Sequence, residues 1–123
     1  MSNILEALEQ FAQEVPGLLS CALVHRQDGT NIGSINLGAS FDGEAADAYL
    51  TQMLQKHLLA VGAMGLADQT EDILISTESA FFLTRVLADT DYFLNVITSR
   101  QGNLGLTRAL MRKHQSALVE SLP

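Results

Sequence analysis

A chain of 123 residues is long enough for one domain and can bury about two-thirds of its unfolded surface without disulfides or metal. Fourteen acidic against seven basic side chains, a net charge of −7, oppose nucleic acid and anionic membranes as general partners, because phosphate binding needs a basic footprint. The longest uncharged apolar run, Leu58 to Ala67, falls short of the roughly 18 residues of a membrane span, and the N-terminus lacks the basic segment of a secretory signal. The composition is that of a globular protein, and the lone Cys21, unable to form an internal disulfide, fits a reducing cytoplasm.

In chain order, Asn3 or Ser2 is an expected N-cap, and Ile4, Leu8, Phe11 and Val15, with Leu5 and Ala12 beside them, mark one face of a helix. Pro16-Gly17 stops it. Leu18 to Arg26 is short and nearly continuously apolar, the pattern of a central strand covered on both faces. Asp28-Gly29 marks a tight hairpin, and the chain returns over Thr30 to Leu37, where Gly33 interrupts the alternation and marks a bulge or an edge. Gly38 to Ser40 form a loop into a long helix, Asp42 to Leu66, capped by Asp42, with Glu44 and Asp47 in its first turns and Gly62 and Gly65 at its end. Three short strands follow, Asp72 to Thr77, Ala80 to Leu87 and Tyr92 to Thr98, with links that allow only antiparallel neighbours. Asn103 caps a last helix with Leu110, Met111, His114 and Leu118 on its inner side. The order αββαβββα predicts one α+β domain over residues 1–123. Its expected form is a three-layer α/β/α sandwich with the terminal helices on one side of the antiparallel sheet and the long helix on the other.

The long helix is apolar over too much of its circumference. Tyr49, Ala60, Met53, Ala46, Met64, His57, Leu50, Val61, Leu54 and Leu58 occupy roughly half the wheel, whereas a helix packed on one core needs about a 100° stripe. The polar stripe is Glu44, Asp47, Thr51 and Gln55, with Gln52 and Lys56 as outliers. The surplus apolar shoulder has to be covered by something else.

The chain carries no recognisable catalytic set. It has no glycine-rich phosphate loop, and its two short glycine pairs, Gly62/Gly65 and Gly102/Gly105, read as a helix end and a helix start that pack closely. His25, His57 and His114 lie on three different elements without ligand spacing, so neither a zinc site nor any cofactor is expected. His57 stands within the apolar arc, either as a filler whose nitrogen meets a backbone or cross-subunit acceptor or as a pH-sensing interface residue. Cys21 in the most apolar strand is inert packing, and Arg85, held within a strand, does not suit an arginine finger. Four of the seven cations, Arg100, Arg108, Arg112 and Lys113, crowd one C-terminal stretch. They read as a solvated helix face with its cations toward the C-terminal half, or as a basic patch for an acidic partner.

The ordered set of motifs resembles the Roadblock family of dynein light-chain-like domains. The likeness rests on Val15-Pro16-Gly17 before the apolar strand and Asp28-Gly29, on the 42–66 helix, on the run DILIST/AFFLTRVL/YFLNVIT, and on Asn103-Leu104-Gly105-Leu106-Thr107-Arg108. It spans about residues 3 to 120, with one departure at Thr30, where many members place an apolar residue. The resemblance implies a five-stranded antiparallel sheet of order 2-1-5-4-3. It also implies a dimer formed by pairing the third strands and laying the long helices side by side. Tyr49, Met53, His57, Ala60, Met64, Ile73, Leu74 and Ile75 would then form the interface, with His57 near the two-fold axis and Asp72–Thr77 as the pairing edge. Bacterial homologues of this type are homodimers that bind Ras-like GTPases. The expectation is therefore a non-catalytic, cytoplasmic homodimer that binds and regulates a small Ras-like GTPase, with Arg108, Arg112 and Lys113 as a further possible contact face. The alternatives are a structural subunit of a larger assembly and, on weaker grounds, a small-molecule sensor.

Overall fold

Links of three to five residues join the strands into hairpins, and around them the computed structural model describes residues 3–38, 42–66 and 70–123. The elements are α1 (Ile4–Glu14), β1 (Leu18–His25), β2 (Asn31–Asn36), α2 (Gly43–Ala63), β3 (Asp72–Ser76), β4 (Ala80–Val86), β5 (Tyr92–Ser99) and α3 (Leu104–Glu120). They build one sheet of order β2-β1-β5-β4-β3 with every neighbouring pair antiparallel. This is the expected α+β architecture, and β2 and β3 are its two edges.

The punctuation is local chemistry. The side chains of Asn3, Asp42 and Asn103 accept from the backbone N–H of Glu6, Ala45 and Leu106 at 2.8, 3.1 and 2.9 Å, satisfying donors that a helix start leaves open. Ser2 and most of the 38–40 loop lie outside the described residues. Gly17 takes φ +70°, and a Cβ there would stand 2.9 Å from Ser99 Oγ, so the turn after α1 requires glycine twice over. The register between β1 and β2 shifts at Leu23/Val24, the bulge anticipated beside Gly33. Gly33 itself lies beneath α1, where a Cβ would collide with Ile4 Cγ2.

The two faces of the sheet differ. On one, α1 and α3 bury Leu8, Phe11, Met111 and Leu118 against Cys21, Leu23, Leu94 and Val96, all at most 1% exposed. On the other, α2 meets a small apolar cluster of Ala22, Val24, Leu54 and Phe93. The orientation of α2 corrects the sequence reading, in which Asp47 and Thr51 belong to an outward polar stripe. Both are buried with Leu50, Leu54 and Val61. The physical reason is that the facing sheet is itself polar there: Asn95 and Thr84 are buried, and their amide and hydroxyl need partners in a dry layer.

Candidate interaction surface

Because α2 turns Asp47, Thr51 and Gln55 toward the sheet and the β1–β2 hairpin, its apolar surplus is left on the outside. Tyr49 is 68% exposed, Met53 46%, Leu59 75% and Met64 64%, and Ala60 is exposed among them. Residues 49, 53, 60 and 64 fall within about 60° of the helix wheel, so they form one continuous stripe. Gln52 and Lys56 stand beside it and are also exposed. His57 lies at the stripe's margin, half-buried, with Nε2 3.2 Å from Thr70 Oγ1 of the same chain. Its hydrogen-bond partner is a side chain of its own subunit, one that neither sequence reading named.

The second part of the expected interface is β3, an edge strand that among the described residues pairs with β4 alone. Ile73 and Ile75 are half-buried; Ile73 packs on the α2 cluster, and Ile75, two residues on, shares its face. Leu74 is also half-buried but points to the opposite side, against the α1/α3 core. The three do not form one exposed face, because side chains alternate along a strand. What β3 presents outward is its unpaired backbone edge.

The C-terminal cations do not form a common free patch. Arg108 donates through Nε and a terminal nitrogen to the two oxygens of Asp72 at 3.2 and 3.1 Å, tying α3 to β3. Lys113 pairs with Glu14 at 2.9 Å, and His114 contacts the same carboxylate while its ring meets Phe11 edge-on at 5.6 Å. Hydrogen bonds from His114 and Lys113 hold the Glu14 carboxyl below its ordinary value. Arg112 is exposed and has no ion pair among the described residues. The cations also do not gather at the dipole's negative end, since the last turn of α3 carries no basic residue. Arg100 stacks over Phe81 at 4.3 Å, and Arg85 lies half-buried under α3, donating to Gln115 at 2.8 Å. Arg85 is thus a packing residue and not a projecting finger.

The most informative side chain is one that sequence reasoning misplaced. Asp47 is 4% exposed; its two oxygens accept from Asn31 Nδ2 and Asn95 Nδ2, each at 2.8 Å, and Asn95 Oδ1 accepts from Thr84 Oγ1 at 2.8 Å. Burial pushes the Asp47 carboxyl up, opposed by the two amide donors. One turn on, Thr51 Oγ1 bonds the Asp47 carbonyl, and Gln55 Nε2 donates to the carbonyls of Arg26 and Gln27 at 2.9 and 2.8 Å, clamping the hairpin. The signal was present: Asp47 lies about 20° from both Leu54 and Leu58 on the wheel, and Asn95 interrupts the apolar run of residues 93–97.

No group of three or more His, Cys, Asp or Glu that could hold a metal ion occurs among the described residues, nor does a helix long and apolar enough to cross a membrane. Cys21 is buried and its thiol is pushed up to about 12 by desolvation, so it stays protonated and unreactive. A polar cleft of about 290 Å³, lined by Ser20, Asn31, Ser34 and the start of α2, opens beside β2.

No family model and no curated protein matches the sequence. Solved structures do match in fold. MglB of Myxococcus xanthus superposes with a TM-score of 0.82 at 14% identity, over 95% of this chain and 85% of that one. MglC of Myxococcus xanthus gives 0.68 at 21% identity over 94% and 96% of the two chains. A Roadblock/LC7 domain from Streptomyces avermitilis gives 0.72 at 16% identity over 97% of each. The chain has the Roadblock/LC7 fold.

Proposed function

We propose that this chain is a non-catalytic binding module that pairs with a second copy of itself and, as a homodimer, binds and regulates a small Ras-like GTPase in the cytoplasm. The observation that carries this reading is the outer face of α2, where Tyr49, Met53, Ala60 and Met64 form an apolar stripe that nothing in the described chain covers. Contiguous apolar surface of this kind marks a place where a protein meets another. The unpaired edge of β3 supports the same arrangement, since a two-fold pairing of β3 extends the sheet and brings the two α2 helices together. The GTPase assignment rests on the resemblance of the ordered motifs to Roadblock proteins and on the fold they share. With Arg108 and Lys113 committed to Asp72 and Glu14, only Arg112 of the basic set remains for a partner. The proposed GTPase contact is therefore the paired α2 helices.

The test combines mass with binding. Sedimentation of the wild-type protein should give about twice the monomer mass, and Met53→Glu should lower it, because a carboxylate in a dry interface carries a desolvation cost. A Ras-like GTPase encoded beside this chain, loaded in turn with GDP and a GTP analogue, should bind the wild-type dimer in one state in preference to the other. An altered hydrolysis rate identifies a regulator, and an unaltered rate with retained binding identifies an assembly subunit. A stable wild-type monomer, or no binding in either nucleotide state, refutes the proposal.

A further inference from the structure

The edge of the sheet opposite β3 carries its own combination of features. β2, Asn31–Asn36, has neither a charge nor a proline along its length, two of the devices that guard an edge strand, and its bulge is confined to the N-terminal end, before Gly33. Leu37 N–H donates to Leu19 carbonyl at 2.8 Å, so the alternation of an antiparallel ladder points the backbone N–H and C=O of Ser34 away from β1 and outward. Ser34 is exposed.

Three grooves flank this edge, and they differ by side. On the α1 side, one of about 680 Å³ runs between Leu5, Ile32 and Leu122, and another of about 200 Å³ lies between Ala12, Ile35 and Leu37. Leu5 is 52% and Leu37 63% exposed, so both grooves have bare apolar walls. On the α2 side lies the polar cleft of about 290 Å³, bordered by Asp42, Glu44 and Asp47. Glu9 and Glu120 stand on the rims of the apolar grooves, and among the described residues no Lys or Arg lines any of the three.

We infer that β2 is a docking edge for an extended segment of another protein in which apolar residues alternate with lysine or arginine. Such a segment adds as a sixth strand by hydrogen bonding to the outward backbone of β2. Period-two alternation then sends its apolar side chains into the α1-side grooves and its cations toward the acidic cleft. The occupant is not a second copy of this chain, because no two of its seven cations stand two residues apart. The edge also lies across the sheet from the proposed dimer surface, so this inference stands or falls independently of the homodimer and of the GTPase.

The experiment is an amide-resolved NMR titration of the intact protein with the peptide acetyl-Lys-Val-Lys-Val-Lys-Val-Lys-amide, alongside its counterpart with glutamate in place of each lysine. The lysine peptide should shift amides of residues 31–37 and of Leu5, Glu9 and Ala12, while the glutamate peptide shifts none of them. Leu37→Lys, at an exposed position whose backbone bond is unaffected, should weaken binding about tenfold, and Ser34→Pro, which removes the outward donor, should weaken it comparably. Equal binding of both peptides, shifts confined to α2 and β3, or no shifts at millimolar peptide overturn the inference.

Discussion

The two sides of the sheet are held by different chemistry. Against α1 and α3 the interface is apolar and continuous, built on Leu8, Phe11, Leu94, Met111 and Leu118, which are all fully buried. Against α2 the apolar cluster is small, and the middle of the contact is the Asp47–Asn31–Asn95–Thr84 network. Apolar burial is strong but tolerant of rotation, whereas hydrogen bonds fix orientation. The polar side therefore decides which way α2 faces, and in doing so it leaves the helix's apolar surplus outward.

Three substitutions sharpen this contrast, compared at one protein concentration because association adds to apparent stability. Phe11→Ala should be the most severe, costing about 4 kcal/mol in urea unfolding, because it leaves a cavity where α1, α3 and the sheet meet. A loss below about 1 kcal/mol would mean that this face is not the main source of stability.

Asp47→Ala should cost less, about 2 kcal/mol, by leaving the Asn31 and Asn95 amides buried without an acceptor. Its pH dependence identifies the cause. The folded-state value of Asp47 is raised, so the folded chain holds that proton more tightly than the unfolded chain does. The carboxyl's contribution is most favourable below the ordinary carboxylate value and is lost as pH rises through the raised one. The deficit of Asp47→Ala should accordingly grow as pH falls from neutrality toward the carboxylate range; a deficit that shrinks on acidification contradicts the assigned environment.

Arg108→Ala should matter least, by at most about 1 kcal/mol, since its pair with Asp72 is partly exposed and screened. The loss should diminish further in high salt, as measured by thermal unfolding at two ionic strengths.

Much of the fold was legible because its determinants are local. Asn3, Asp42 and Asn103 cap helices wherever the chain goes next, Pro16-Gly17 and Asp28-Gly29 turn it, and short links force hairpins. The apolar excess of α2 was equally visible, and the structure leaves Tyr49, Met53, Ala60 and Met64 on the outside as the excess required. The rotation of α2 was not visible in the same way. A wheel counts hydrophobicity, and it assigns Asp47 and Thr51 to water because it cannot know that Asn95 and Thr84 wait across the layer.

The C-terminal cations teach the same lesson in the opposite sense. Arg108 and Lys113 look like a shared face in sequence, yet Asp72 and Glu14, which neutralise them, come from β3 and α1, far away along the chain. Local residue patterns set the elements, their order, the caps and turns, and the existence of an apolar excess on α2. Which face of α2 is uncovered, which charges are already paired, and which backbone edges remain open emerge when the elements pack together. Those outcomes depend on contacts between residues tens of positions apart, and no local pattern records them.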